Sequence, residues 1–288
     1  MLTIVIPFFR DQARLEVLLD GLVAQKKSAA FPVEIIAVDN DPDGGYVPLT
    51  RFSDDVRFAT CAKPGSYAAR NVGVGMAEGR VIAFTDADCT PAPGFLAALH
   101  AFYSDANQST ALAAGKVTVV AQTPGAETLA EAYDCLFGLP QEAYVQRGYA
   151  VTANLAVPAQ AFRDVGVFDE AHFSGGDAEF CRRATGQGYR LVYYGAAEVL
   201  HPARRTLSEL ANKMDRVIGA QVDRAGLLGT VPLIARAMAR GVLSLVELVR
   251  RPAAWRTKGK AAVVVLYLSM ARLYFIVYHA LPFSKRRR

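Results

Sequence analysis

Val81-Ile82-Ala83-Phe84-Thr85-Asp86-Ala87-Asp88-Cys89 decides the fold. An apolar run of this length reads as a buried strand. Two carboxylates, one residue apart, stand at its C-terminal end, before a turn containing Pro91 and Pro93. In open α/β sheets, ligands bind outside the carboxyl ends of the strands. Carboxylates there suit a divalent metal that bridges the phosphates of a nucleotide. Taken alone, Asp-x-Asp reads equally as a strand end followed by an Asx turn.

The flanking sequence supplies the context. Residues 2–9 read as a first buried strand. Residues 12–25 carry Leu15, Leu18, Leu19 and Leu22, the stripe of an amphipathic helix. Residues 33–38 form a second strand, ending at Asp39-Asn40. Ser66 is expected to cap a helix that runs to about Glu78. Strand–helix alternation with short connections predicts a parallel, doubly wound α/β sheet. Its strand ends bring together Pro7-Phe8, Asp39-Asn40 and Asp86-Ala87-Asp88.

Later segments are less regular. Residues 111–120, 152–157 and 189–199 read as strands, 125–147 as largely helical, and 177–186 as a helix. The stretch Ser174-Gly175-Gly176-Asp177-Ala178-Glu179-Phe180-Cys181-Arg182-Arg183 is a glycine hinge into an acidic helix start. Acidic residues there complement the helix dipole, or supply a general base. Lys63 to Gly73 is a small-residue loop feeding a helix, a place that attracts phosphate. Arg70, one turn in, reaches a base or phosphate, or is a surface arginine.

Charge divides the chain. Residues 201–288 hold 17 Lys/Arg against 4 Asp/Glu, a balance of +13; residues 1–200 hold 15 against 23, a balance of −8. An acidic globule with a basic tail calls for an anionic partner of the tail. The tail is also apolar, which favours a membrane surface over nucleic acid. Cys61, Cys89, Cys135 and Cys181 are scattered, as in a reducing cytosol rather than a disulfide frame or zinc site. The chain enters a strand by Leu2 with no basic leader, so no signal peptide is expected.

Residues 231–249 and 261–283 are each long enough to cross a bilayer. Arg236, Arg240 and Glu247 gather near one face of the first. Arg272 lies near the middle of the second, where insertion costs roughly 2.5–3.5 kcal/mol. Five basic residues separate the segments (Arg250, Arg251, Arg256, Lys258, Lys260), and four more, Lys285 to Arg288, end the chain. A spanning arrangement places one of these clusters outside, against the positive-inside tendency. Helices lying in the cytoplasmic interface are expected instead, with Trp255, Tyr267, Tyr274 and Tyr278 as anchors. Packing on the catalytic domain or on a second subunit is the other reading.

Eight motifs stand in order: Val5-Ile6-Pro7-Phe8, Val38-Asp39-Asn40, Pro64-Gly65 through Ala69-Arg70-Asn71-Val72-Gly73, Thr85-Asp86-Ala87-Asp88, Ala153-Asn154-Leu155-Ala156-Val157-Pro158, Val165-Gly166-Val167-Phe168-Asp169-Glu170, Gly175-Gly176-Asp177-Ala178-Glu179, and His201. Together they strongly resemble the family 2 glycosyltransferases of the GT-A fold, over about residues 1–202. The resemblance implies a Rossmann-like, mostly parallel central sheet flanked by helices, in a catalytic domain over 1–202. A basic, apolar helical appendage over 203–288 would follow. It implies an inverting, single-displacement transfer of a sugar from a nucleotide donor, with UDP-linked donors expected.

By that resemblance, Pro7, Phe8, Asp39, Lys63 and Arg70 hold the nucleoside and Asp86 contacts the ribose side. Asp88 and His201 bind Mn²⁺ or Mg²⁺, and Asp177 is the catalytic base. Asn154 and Glu179 match acceptor-side positions. The family's usual acidic residue before the base is Gly176 here, which makes Glu179 the reserve base. Gln221-Val222-Asp223-Arg224-Ala225 lacks the aromatic platform of processive members. A non-processive hexosyltransferase at the cytoplasmic face of the membrane is therefore expected, peripheral or monotopic. Its acceptor would be a lipid-linked or cell-envelope glycan. A nucleotidyltransferase making nucleotide sugars and a non-catalytic membrane-docking subunit are the alternatives; the oligomeric state is open.

Overall fold

The computed structural model describes residues 1–44, 49–172, 174–225 and 230–281. The terminal basic run Lys285 to Arg288, and the end of the second long apolar segment at Phe283, lie outside the described residues. The chain divides into two compact units. One comprises Met1–Thr118, Pro140–His172 and Gly176–His201; the other takes in Val119–Leu139 and everything described from Pro202 on.

The first unit is built on one sheet. In chain order its elements are β1 (Leu2–Phe8), α1 (Gln12–Ser28), β2 (Val33–Asp39), β3 (Arg57–Thr60), α2 (Ser66–Met76), β4 (Val81–Thr85), β5 (Thr90–Pro91), α3 (Phe95–Ser104), β6 (Ala111–Val120). α4 (Leu129–Phe137) belongs to the second unit. Then follow α5 (Gln141–Val145), β7 (Asn154–Pro158), α6 (Ala159–Val165), α7 (Gly176–Gly186) and β8 (Arg190–Pro202).

The strand order is β3-β2-β1-β4-β7-β6-β8-β5. The first four strands are parallel, with Leu2 opposite Val33 and Val81, and Phe8 opposite Asp39. Every residue of β1 is buried, as expected for a central parallel strand covered on both faces. β7 then runs antiparallel to β4, and β6 antiparallel to β7. The doubly wound reading thus describes the β3-β2-β1-β4 half. The other half returns antiparallel.

The α1 stripe of Leu15, Leu18, Leu19 and Leu22 is fully buried. Gly73 lets α2 lie close on β1: a Cβ there would come within 2.3 Å of Val5 Cγ1. Ser66 does not cap α2; it is the first helical residue, and Gly65 precedes it at φ +122°. That conformation suits glycine, so the loop turns at Gly65 and a serine cap is not needed. β3, α3, α6 and the tail's first helix were not expected from the sequence. An aromatic cluster of Phe84, Phe162, Phe168 and Phe180 fills the core beside β4. Phe180 stands 4.9 Å from both Phe162 and Phe168, which fixes α7 on the sheet. Burying one such ring stabilises by about 1.5–3 kcal/mol.

The second unit is helical: α4, α8 (Leu207–Ala225), α9 (Thr230–Arg250) and α10 (Trp255–Ala280). α10 packs on α4, α8 and α9. Its buried side holds Val264, Leu268 and Ile276 against Leu210, Met214 and Ile218 of α8. His279 Nε2 lies 2.6 Å from Asp215 Oδ1 and ties the end of α10 to α8.

Candidate active site

The parallel strand ends form the site. β2 ends in Asp39 and Asn40. Asn40 Nδ2 donates to the carbonyls of Cys61 (3.1 Å) and Lys63 (2.7 Å), and its Oδ1 accepts from Gly65 N (2.8 Å). One amide side chain thereby straps the loop before α2 to the strand. Asp39 is 1% exposed. Its Oδ1 accepts from Asp41 N at 3.0 Å, whereas buried Oδ2 meets no hydrogen-bond partner among the described residues. A buried carboxylate oxygen without a donor is costly, and it marks where a ligand's N–H or hydroxyl would dock. Pro7 and Phe8 are buried at the adjoining end of β1. Lys63 pairs with Glu170 at 2.5 Å and holds its carboxyl below the usual range, aided by Asn71.

Arg70 is not a surface arginine; it is 4% exposed on α2. Its Nη2 donates to Asp86 Oδ1 at 2.5 Å, its guanidinium lies 5.7 Å from the Tyr67 ring centre, and its Nε has no hydrogen-bond partner among the described residues. A buried cation is thus held by one carboxylate and one ring face, with a donor left for a ligand.

Asp86, Asp88 and His201 offer ligand atoms that all lie within 4.8 Å of one another. Asp86 and Asp88 come from the turn after β4, and His201 from β8. His201 Nε2 is 3.7 Å from Asp88 Oδ1, and Arg14 is 3.9 Å from Asp88 Oδ2. Burial pushes the Asp88 carboxyl up, and the Asp86 charge adds to that; His201 and Arg14 oppose it. Two carboxylates and one imidazole suit Mn²⁺ or Mg²⁺, which prefer oxygen ligands, with Mn²⁺ the more tolerant of nitrogen. A cation there would relieve the repulsion between the carboxylates.

Asp177 opens α7. Its backbone N–H donates to Tyr67 Oη at 3.2 Å, and its own Oδ1 accepts from Ala178 N at 2.9 Å. Burial raises the Asp177 carboxyl above the usual range; the Ala178 N–H and the Arg70 charge pull the other way. A carboxylate displaced toward neutrality suits proton abstraction. Glu179, by contrast, is clamped by Arg183 Nε (2.8 Å) and Nη2 (2.9 Å), which hold it below its ordinary value. Arg183 also donates to the carbonyls of Val165, Gly166 and Val167. Glu179 therefore anchors the loop before α7, whereas the buried Asp177 carboxyl is the one raised above its ordinary range.

Gly176 has a packing reason. A Cβ there would stand 2.8 Å from Tyr67 Cε2. The space of the family's usual acidic side chain is taken by a tyrosine that supports Asp177. Gly176→Ala should push Tyr67 aside, and Tyr67→Phe should orphan the Asp177 N–H at a cost of about 1–3 kcal/mol. Both should lower Tm by several degrees and donor turnover by at least tenfold. An unchanged turnover in Tyr67→Phe would remove Tyr67 from the site.

Asn154, matched above to the acceptor side, is held within the sheet. It is 1% exposed, and Nδ2 donates to the carbonyls of Lys116 and Ala197, both at 2.9 Å. Gly115 is the small residue that makes room for it. Its amide donors are spent joining β6 to β8, so what it offers is sheet geometry rather than a donor to an acceptor. Tyr149 lies close enough to Asp177 to feel its charge. Tyr149 stacks on Tyr144 at 4.9 Å, and the Arg182 guanidinium lies 5.6 Å from its ring centre. Burial raises the Tyr149 phenol, with the Arg147 charge opposing and that of Asp177 adding. The sequence signal for this trio was only Arg182, in the helix already singled out.

Among family models, the one described as glycosyl transferase family 2 matches residues 3–159, more than half of the 288-residue chain. Glycosyltransferase AglE of Haloferax volcanii is 29% identical over 236 residues, 77% of this chain and 73% of that protein. Among solved structures, the mannosyltransferase PcManGT from Pyrobaculum calidifontis, in complex with GDP-Man and Mn²⁺, aligns with TM-score 0.58 at 15% identity. That alignment covers 100% of this chain and 88% of the other. S. aureus TarS 1-349 in complex with UDP-GlcNAc aligns with TM-score 0.51 at 15% identity, covering 92% and 71%.

Proposed function

This chain belongs to glycosyl transferase family 2, and we propose on that premise that it is an inverting, metal-dependent, non-processive hexosyltransferase using a nucleotide-diphosphate sugar. The observation that carries this reading is the joint presence of a three-ligand cluster and a desolvated carboxylate in one unit: Asp86, Asp88 and His201, with Asp177. Asp39 and Arg70, each with an unmet buried polar atom, receive the nucleoside. Pro7 and Phe8 wall it, and Lys63 closes its edge. Asp88 and His201 would hold Mn²⁺ or Mg²⁺, beside Asp86, which pairs with Arg70. The bound ion supplies charge neutralisation for the leaving diphosphate.

The chain's own residues do the rest. Asp177 takes the proton of an acceptor hydroxyl. That oxygen bonds to the anomeric carbon while the carbon–phosphate oxygen bond breaks, and the nucleoside diphosphate leaves from the opposite face. Tyr67 fixes the Asp177 backbone, and in-line placement supplies much of the rate. The acceptor is a lipid-linked or cell-envelope glycan, met at the cytoplasmic face of a membrane. Relatives of the fold bind UDP-GlcNAc and GDP-Man, and a UDP-linked donor is the reading for this chain. Gly176, the feature that favoured a non-catalytic docking subunit, is accounted for by Tyr67.

The test is nucleoside diphosphate release from UDP-, GDP- and dTDP-sugars with Mn²⁺, with NMR of the product's anomeric centre. Release from one donor class with inverted configuration is expected. Retained configuration, or turnover of a nucleoside triphosphate with a sugar phosphate, would overturn the reading in favour of a different transferase.

A further inference from the structure

α9 and α10 each carry a stripe of exposed apolar side chains. On α9 it is Val231, Met238, Val242, Val246 and Val249, between 44% and 75% exposed. On α10 it is Val263, Leu266, Met270, Tyr274 and Val277, between 52% and 66% exposed. The spacings of three, four and seven place each set on one helix face. No charged residue falls within either series. Trp255, 78% exposed, stands at the start of α10 under the Arg256 guanidinium. Exposed apolar area of this extent marks an interaction surface.

Charge identifies what covers it. Residues 230–281 hold eight Lys/Arg (Arg236, Arg240, Arg250, Arg251, Arg256, Lys258, Lys260, Arg272) and one acid, Glu247, a balance of +7. Glu247 is paired with Arg251. A second copy docking through this face would bring two such segments together and repel. An anionic bilayer surface complements both the stripes and the charge.

The opposite side of α10 argues against the spanning alternative. Its buried residues pack on α4, α8 and α9, while the rest of its apolar surface is exposed. Lys260 donates to the Glu127 carbonyl at 2.5 Å, and His279 meets Asp215 at 2.6 Å. Burial lowers the Arg272 guanidinium's pKa, with Tyr133 opposing. A bilayer-crossing α10 would drag these groups, and the charged α8, into hydrocarbon.

We propose that α9 and α10 lie in the plane of an anionic membrane, apolar stripes down, with Trp255 and Arg250 and Arg256 at the headgroups. This deepens the membrane-facing part of the proposed function and uses neither donor nor acceptor. Its failure would leave glycosyl transfer standing, and failure of transfer would leave it standing.

The test is flotation of the full chain with vesicles of phosphatidylcholine alone, or with one third phosphatidylglycerol. At least tenfold more protein should float with the anionic vesicles, and high salt should reduce it. Val242→Glu/Met270→Glu should sink the protein while Tm is unchanged. Arg250→Glu/Arg256→Glu should lose only the anionic preference. Depth is read by a bimane on Val263→Cys, Met270→Cys and Val277→Cys, with Cys135→Ser, against lipids brominated at two depths. Equal quenching along α10 is expected; graded quenching means a spanning helix. Failure of the wild type to float, or a dimer in solution that Met270→Glu splits, would overturn the proposal.

Discussion

Asp177→Asn should lower donor turnover by roughly 10²–10⁴-fold, the usual worth of a positioned general base. Nucleotide binding should survive, because Asp177 is not one of the three clustered candidate metal ligands Asp86, Asp88 and His201. The same substitution should raise stability at neutral pH. Burial raises the Asp177 carboxyl, so its ionised form costs folding free energy. An asparagine keeps the Oδ1 acceptor for Ala178 N and carries no charge. The sign follows from linkage. A carboxylate raised in the folded state penalises folding above its folded pKa, and the penalty vanishes below its unfolded pKa, where both states are protonated. The Tm advantage of Asp177→Asn should therefore be full above the raised folded pKa and disappear as the solution is acidified through the ordinary carboxylate range. The acid limb of wild-type turnover should lie above that range for the same reason. Glu179→Gln, which loses a clamp rather than a base, should cost less than about tenfold in turnover. If it costs as much as Asp177→Asn, Asp177 is not the base.

Asp88→Ala should abolish metal-dependent nucleotide binding. Any ligand that binds only the folded state stabilises it, by about 2.7 kcal/mol at a hundredfold excess over Kd. For a chain of this size that is roughly 5–10 °C in Tm. Wild-type protein should show such a shift with one of UDP, GDP, dTDP or CMP, and only when Mn²⁺ is present. Asp88→Ala should melt as a folded protein and show none. Loss of the carboxylate would remove one of three candidate ligands and leave only Asp86 and His201 for the ion. A shift that persists in Asp88→Ala would mean that Asp39 and Arg70 bind the nucleotide without metal. No shift in the folded wild type would move weight to a docking subunit.

Periodicity and strand-end chemistry were legible before any coordinates. Local sequence determined the buried run 81–85, the Leu15 to Leu22 stripe and the aspartates at strand ends, because side-chain period and turn chemistry are local properties. It also determined the basic, apolar character of the tail. What the local pattern could not carry was set by packing across long stretches of chain. The antiparallel half of the sheet depends on where β6, β7 and β8 find their partners. β3 is four residues long with no alternation, and is a strand only because β2 offers it an edge.

The same division runs through the site. That Asp177 and Glu179 are both acids near a hinge is sequence; that one is desolvated and the other clamped is tertiary, since Arg183 and Tyr67 decide it. Gly176 was a departure in the sequence and becomes a steric necessity once Tyr67, 109 positions earlier in the numbering, is seen against it. Asn154 matched a motif, yet its amide closes hydrogen bonds within the sheet, because a buried amide must satisfy its donors wherever the fold puts them. The sequence alone determined which chemical groups this chain owns and which strand ends they sit on. Only the tertiary structure decided which of them are paired off and which are left facing a ligand, because burial and partnership are properties of neighbours in space.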